Sequence, residues 1–212
     1  MSDSQRHPTG TMGTGRIEAL CDGVFAIIMT LLVFDIKVPD VDPAQLATGL
    51  VTLGPSLIGY GVSFVLLGIY WLGHRAQYQY IRHADQNLHW LNMLFFAFSG
   101  LIPFTTGLVS QYPAQFLAVA IYGVNLVLIG LALYVHWLYV VRHPRLVKED
   151  LTPMVARYAS IRCLLAPACY TVAMGLGFLN PLIALVLYAL VPLLYIFPLM
   201  QGTWLRLARR QS

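Results

Sequence analysis

Arg16, Glu18 and Asp22 stand in the first two turns of an apolar run, residues 16–38, that is long enough to cross a bilayer. Ionisable groups this close to hydrocarbon are costly to bury, so they are snorkelled, paired or functional. Arg16 and Asp22 are six positions apart and lie on different faces of one helix, so they do not form an i, i+4 pair with each other. Each then needs a partner on another helix or another subunit. Trp71 and His74, at the inner end of the second apolar run, have the right depth. Such a contact would pin helix register at the membrane surface. It could also set the shape of a pore, or respond to pH through His74. Glu18 and Asp22 are themselves i, i+4; with Arg16 beside them they read as a surface charge cluster rather than a proton-sharing pair.

Further along the same run Ile27, Thr30, Leu31 and Phe34 recur at i, i+3, i+4 and i+7 and share one face. Any packed helix offers such a stripe. Here it lies between the charges at one end and Asp35 at the other, with Asp40 and Asp42 following. Residues 58–61 contain Gly-Tyr-Gly, but a carbonyl-lined potassium filter needs Thr-Val before it in an extended re-entrant loop. Leu57 and Ile58 precede it here, inside a helical run. His136 has no second intramembrane histidine or carboxylate at ligand spacing and reads as a hydrogen-bonded interior residue. Cys21, Cys163 and Cys169 show neither a CxxC nor a zinc-type spacing and read as small buried hydrophobes. There is no nucleophile elbow, P-loop or acidic dyad. No enzyme activity, cofactor or resident metal is expected.

What positions these residues is a membrane. The 212 residues are 58% apolar and 10% charged, and mean hydropathy is +0.69. A soluble domain carries about 25% charged residues, so water would not solvate this surface. The apolar runs are continuous rather than alternating, which argues against a β-barrel. The net charge of +4 comes without a basic cluster interleaved with aromatics, so nucleic acid is not an expected partner. The expected class is all-α and polytopic.

Six runs are separable, at 16–38, 45–73, 88–109, 114–141, 155–178 and 181–205. Each exceeds the ~20 residues a spanning helix needs, and within lipid each must be helical because its backbone has no other partner. Pro103, Pro167, Pro192 and Pro198 fall inside them and should kink or loosen the helices. Trp71, Trp90, Trp137 and Trp204 lie near span ends, as interface anchors do. Eleven of the 13 Lys and Arg residues fall on the side of both termini and the second and fourth loops. Basic loops stay cytoplasmic, so both termini are expected there. The organisation expected is a disordered tail over 1–15, a six-helix domain over 16–205 and a basic tail over 206–212. The two halves do not match as an inverted repeat would.

Arg16-x-x-x-Leu20-Cys21-Asp22-Gly23, continued by Val-Phe-Ala-Ile27 and Leu31-Leu-Val-Phe34-Asp35-Ile, resembles the first-helix signature of the prokaryotic branch of the endosomal/lysosomal potassium channel (transmembrane protein 175) family. Ser63-Phe64, Tyr70-Trp71-x-x-His74-Arg75, Asp85 and Leu91-Asn92-x-Leu94-Phe95 running to Pro103-Phe104 strengthen the resemblance, which covers the first half of the chain well. Leu20 and Cys21 depart from the Phe and Ser of the signature. A thiol is a weak hydrogen-bonding group, so the polar network around it is expected to be weaker.

The resemblance implies a homotetrameric, potassium-preferring passive channel of the plasma membrane, six helices per chain, with the first helix of each subunit around the pore. By position, Ile27 resembles the narrowest hydrophobic constriction, with Leu31 and Phe34 as further apolar layers of a hydrophobic gate. Thr30 resembles the hydroxyl that favours potassium, which would pass Ile27, Thr30 and Leu31 transiently. Arg16, Asp22, Gly23, Trp71 and His74 would form the signature network. Asp35, Asp40 and Asp42, repeated fourfold, would concentrate cations at the outer mouth. The implied partners are further copies of the chain, membrane lipid and monovalent cations. The competing expectation is a proton-permeable or ion-coupled transporter, for which only His136 and Arg162 approach a mid-depth ionisable site.

Overall fold

A computed structural model of the chain describes residues 13–196. Helix α1 spans Gly15–Leu31 and tightens into a 3-10 turn over Leu32–Asp35. A short α2, Leu46–Thr52, precedes α3, Gly54–Tyr78. Helices α4, Gln86–Gly100, and α5, Ile102–Gln111, follow. Then come α6, Phe116–Arg142, and α7, Pro153–Leu176. Last are α8, Pro181–Leu190, and α9, Leu193–Ile196. Among the described residues the architecture is all-helical, with one isolated bridge between Ile81 and Val147.

Among the described residues five segments are long and apolar enough to span a bilayer: Gly15–Asp35, Gly54–Tyr78, Gln86–Gln111, Phe116–Arg142 and Pro153–Leu176. The shorter Pro181–Ile196 begins where the sixth run is expected. Prolines decide several boundaries. Pro55 sits in the first turn of α3, where its missing N–H costs nothing, so the second run splits and its spanning helix begins about ten residues later than its hydropathy suggests. That helix also continues to Tyr78, which puts His74 and Arg75 inside it instead of at its exit. Pro103 opens α5 after a break at Leu101, and Pro192 falls between α8 and α9. Pro167 stays within α7. Arg6, Pro198, Trp204, Arg206, Arg209 and Arg210 lie outside the described residues, as do most of the two expected tails.

The helices stack in layers. Helix α1 packs against α3, α4 and α5, those three back onto α6, and α7 lies on α6 and α8. Helix α6 is apolar on all sides, as a helix enclosed by others must be. Close approach to it depends on glycine. A Cβ at Gly130 would stand 2.5 Å from Pro167 Cγ, and one at Gly123 would collide with the Tyr188 hydroxyl. Small residues let helix backbones come together where lipid supplies no hydrophobic drive.

The two basic loops meet at one end of the bundle. The Arg82 amide donates to the Leu146 carbonyl at 2.8 Å, and the Lys148 amide to Tyr80 at 3.0 Å. Asp85 ties the loops together. It caps α4 through the Leu88 amide at 3.0 Å, accepts from the Tyr139 hydroxyl at 2.8 Å and pairs with Arg145 at 3.1 Å. Desolvation pushes its carboxyl up, but the Leu88 amide, the Tyr139 hydroxyl and Arg145 outweigh that and hold it below the usual carboxylate range. Trp137 corrects the anchoring expectation. It is fully buried among Ile17, Tyr78, Ile81 and Val140, and its indole N–H donates to the Ala156 carbonyl at 3.2 Å. Trp90, by contrast, is exposed.

Candidate functional site

Helix α1 has two apolar faces, and the chain buries only one. Ile17, Cys21, Phe25, Ile28 and Leu32 are buried; Phe25 stacks on Phe95 of α4 with ring centroids 5.6 Å apart. Leu20, Ile27, Leu31 and Phe34 remain exposed, Ile27 by 60% and Phe34 by 74%. Gly23 and Thr30 lie on the same exposed side, and a Cβ at Gly23 would meet nothing within 4 Å. A spanning helix that buries one stripe and leaves an equally apolar stripe open presents the open one to lipid or to a further chain. Thr30 is the hydroxyl on that open stripe. It donates to the Ile27 carbonyl at 2.8 Å, so its proton is spent on the backbone and its oxygen lone pairs are left to face outward.

At the inner end of α1, Asp22 and Trp71 come together. The indole N–H donates to Asp22 Oδ1 at 2.7 Å, a charge-assisted bond from α3 to α1. Arg75 lies over the same indole with its guanidinium carbon 5.6 Å from the ring centroid. Glu18, Cys21, Asp22, Trp71, His74 and Arg75 line a cleft of about 180 Å³. Arg16 is exposed and has no ion-pair partner among the described residues. Asp22 is therefore bonded to Trp71 within one chain and only shares the cleft with His74, and no such bond joins Gly23 or Arg16 to either.

Behind the cleft runs a buried polar chain that extends well beyond the residues singled out by sequence. Asn92 spends both amide protons on the Tyr78 hydroxyl, at 2.7 Å, and the Leu88 carbonyl, at 2.8 Å. Its Oδ1 therefore accepts from His74 Nε2 at 2.7 Å. Gln77 donates to the Leu133 carbonyl and to Cys163 Sγ, so its Oε1 accepts from His136 Nδ1 at 2.7 Å. The other His136 nitrogen then takes the Tyr78 O–H at 3.4 Å. The Tyr78 O–H finds an acceptor when His136 carries its proton on Nδ1 and leaves Nε2 bare, which assigns that ring's tautomer. The run from His74 to His136 ties α3, α4, α6 and α7 together. Asn92, Gln77 and Tyr78 were not expected in it; a polar amide inside an apolar run was the available signal.

The outer end departs from expectation at one residue. Asp35 closes the 3-10 turn with its carboxylate against Gly107 of α5, where a Cβ would stand 2.8 Å from Oδ1. Its Oδ2 is buried without a hydrogen-bond partner. Asp35, expected at the outer mouth, thus lies against α5 and remains partly exposed. Asp40 and Asp42 are exposed, and Asp42 caps the turn Pro43–Gln45. Gly59-Tyr60-Gly61 lies inside the uninterrupted α3, as the filter argument requires. Among the described residues no group of three or more His, Cys, Asp or Glu side chains is placed to hold a metal ion.

Comparison with known proteins bears on this geometry. The family model described as endosomal/lysosomal potassium channel TMEM175 matches residues 16–103. A potassium channel of Streptomyces collinus is 34% identical over 189 residues, which is 87% of this chain and 92% of that protein. The endosomal/lysosomal proton channel TMEM175 of mouse is 36% identical over 109 residues, 47% of this chain and 22% of that longer protein. The crystal structure of a lysosomal potassium-selective channel TMEM175 homolog from Chamaesiphon minutus superposes with a TM-score of 0.76 at 26% identity. It covers 86% of this chain and 96% of that one.

Proposed function

Because the chain belongs to the endosomal/lysosomal potassium channel TMEM175 family, we propose that four copies enclose a pore along α1 and pass potassium down its gradient without a coupled ion. The observation that carries this reading is the open apolar stripe of α1. Fourfold repetition around an axis closes a ring and turns each stripe inward, away from lipid.

In this reading Ile27 forms the tightest ring and Leu31 and Phe34 widen outward from it. Apolar rings at close spacing expel water, so the resting pore is dewetted, and a small dilation rehydrates it. Thr30 presents the stripe's hydroxyl oxygen one turn from Ile27, and this weak site favours potassium over sodium without stripping the ion's water shell. Asp40 and Asp42 raise the local cation concentration outside. The Asp22–Trp71 bond pins the inner end of α1, and Arg16, without an ion-pair partner among the described residues, meets a neighbouring subunit. The channel unit is 16–205, and it sits in the plasma membrane with its basic loops and both termini in the cytoplasm.

The test is potassium flux into liposomes driven by a concentration gradient alone, together with the rotational symmetry of the purified particle. Flux and a fourfold axis through α1 support the reading; obligatory coupling to protons or sodium, or α1 facing lipid, refutes it. The name of the mouse relative motivates a proton-permeable alternative, which a pH-sensitive dye in the same liposomes separates from potassium flux.

A further inference from the structure

Arg162 lies nine residues into α7, about 13 Å along the helix axis from Pro153. That depth places its Cα below the headgroups, where a guanidinium needs an anion or water. The described residues provide neither a carboxylate nor a hydrogen-bond acceptor for it. What they provide is a wall. The guanidinium carbon sits 5.3 Å over the ring of Tyr195 in α9. The Tyr195 hydroxyl donates to the Arg162 carbonyl at 2.8 Å and accepts the Ala166 amide at 3.1 Å, so the ring is locked in place against α7. Arg162 is half-buried, and exposed apolar residues stand on both helices that hold the pair, Ile161 and Leu164 on α7 and Leu194 and Ile196 on α9. This is a fixed cation in a greasy frame at the edge of a helix pair.

Layer order says what that frame faces. Helix α7 rests on α6 and α8, whereas α1 rests mainly on α3, α4 and α5. With α1 at the axis, a premise taken from the proposed function, the α7–α9 face looks into lipid. Residues 197–212 contain no Asp or Glu, so that stretch has no side-chain carboxylate. We propose that Arg162 and Tyr195 form a headgroup site for an anionic phospholipid of the inner leaflet. The lipid phosphate accepts the guanidinium N–H groups, and the acyl chains lie along the exposed apolar surface of α7 and α9. Arg is suited to this role because its planar fork holds phosphate in two bonds while its other face stays on the aromatic ring.

The experiment uses the full chain purified in detergent, with phosphatidylglycerol or phosphatidylcholine of matched acyl chains added. Retained lipid is counted by native mass spectrometry and thermal stability is recorded in parallel. Wild type should retain phosphatidylglycerol about fivefold better than phosphatidylcholine. Arg162→Gln should abolish the preference, Tyr195→Leu should weaken it, and Arg157→Gln should leave it intact. Inorganic phosphate at the same concentration should give no thermal shift. Equal retention of the two lipids by wild type overturns the proposal, even if no variant assembles. A preference that survives Arg162→Gln overturns it too, as does a phosphate shift matching that of the lipid. Potassium flux is scored separately: flux without lipid preference refutes this site alone, and lipid preference without flux refutes the channel reading alone.

Discussion

Replacing Ile27 by Asn tests the constriction directly. Ile27 leaves 60% of its surface open in the chain. Exposing a whole Ile side chain to water costs about 2.5 kcal/mol, so the open part of one residue accounts for about 1.5 kcal/mol and four copies for about 6 kcal/mol. Only the part of each face that looks at the axis resists water in the pore. Taking half leaves about 3 kcal/mol, or roughly a hundredfold in the population of a wetted pore. Ile27→Asn removes that resistance and supplies an amide that holds water, so basal potassium flux should rise by one to two decades. Each chain should fold normally, because the buried face of α1 is Ile17, Cys21, Phe25, Ile28 and Leu32 and is untouched. The assay is gradient-driven potassium flux into liposomes, normalised to oligomer counted by native mass spectrometry, with Ile27→Leu as an apolar control. Unchanged flux in an intact oligomer, or an equal rise in Ile27→Leu, would refute the reasoning.

Thr30→Val keeps shape and removes the stripe's hydroxyl, so the potassium-over-sodium permeability ratio should fall toward one; an unchanged bi-ionic reversal potential contradicts that role. Trp71→Phe deletes the 2.7 Å bond to Asp22. A hydrogen bond to a charged group is worth about 1.5–3 kcal/mol, and the exposure of Asp22 puts this one at the low end. The melting temperature should drop by a few degrees, and a double-mutant cycle with Asp22→Asn should show coupling. Asp85 makes a pH prediction. Its folded pKa is depressed, so its contribution is present above the unfolded value of 3.8 and is lost as pH falls through the lower folded value. Asp85→Asn should therefore flatten the acid limb of stability below about pH 4, and melting curves across that range check it.

The sequence alone was strong where one dominant force acts. A chain so poor in charge has to lie in lipid, and lipid forces helices, so class and helical state followed from composition. Asymmetry in Arg and Lys sorted the loops into two sides, and the structure brings the two basic loops together at one end through Asp85 and Arg145. The signature in α1 pointed to the family, and the relatives bear that out. Residue-level placement was weaker. Hydropathy could not see that Gly54 and Pro55 divide the second run, because apolar character continues across a backbone break. Trp137 looked like an anchor because it lies near a span end, but burial depends on which neighbours arrive, and Ala156 arrives.

Periodicity alone placed Ile27, Thr30, Leu31 and Phe34 on one face, since a helix turns by the same angle whatever surrounds it. Only the tertiary structure decided that this face stays open while the Cys21–Phe25–Ile28 face is filled, because that choice depends on where α3, α4 and α5 stand. The same holds for the buried chain from His74 through Asn92, Tyr78 and Gln77 to His136, and for Asp35 turning toward Gly107. Those contacts join residues far apart in sequence, and hydrogen bonds between helices are a matter of distance in space, which no spacing along one helix encodes.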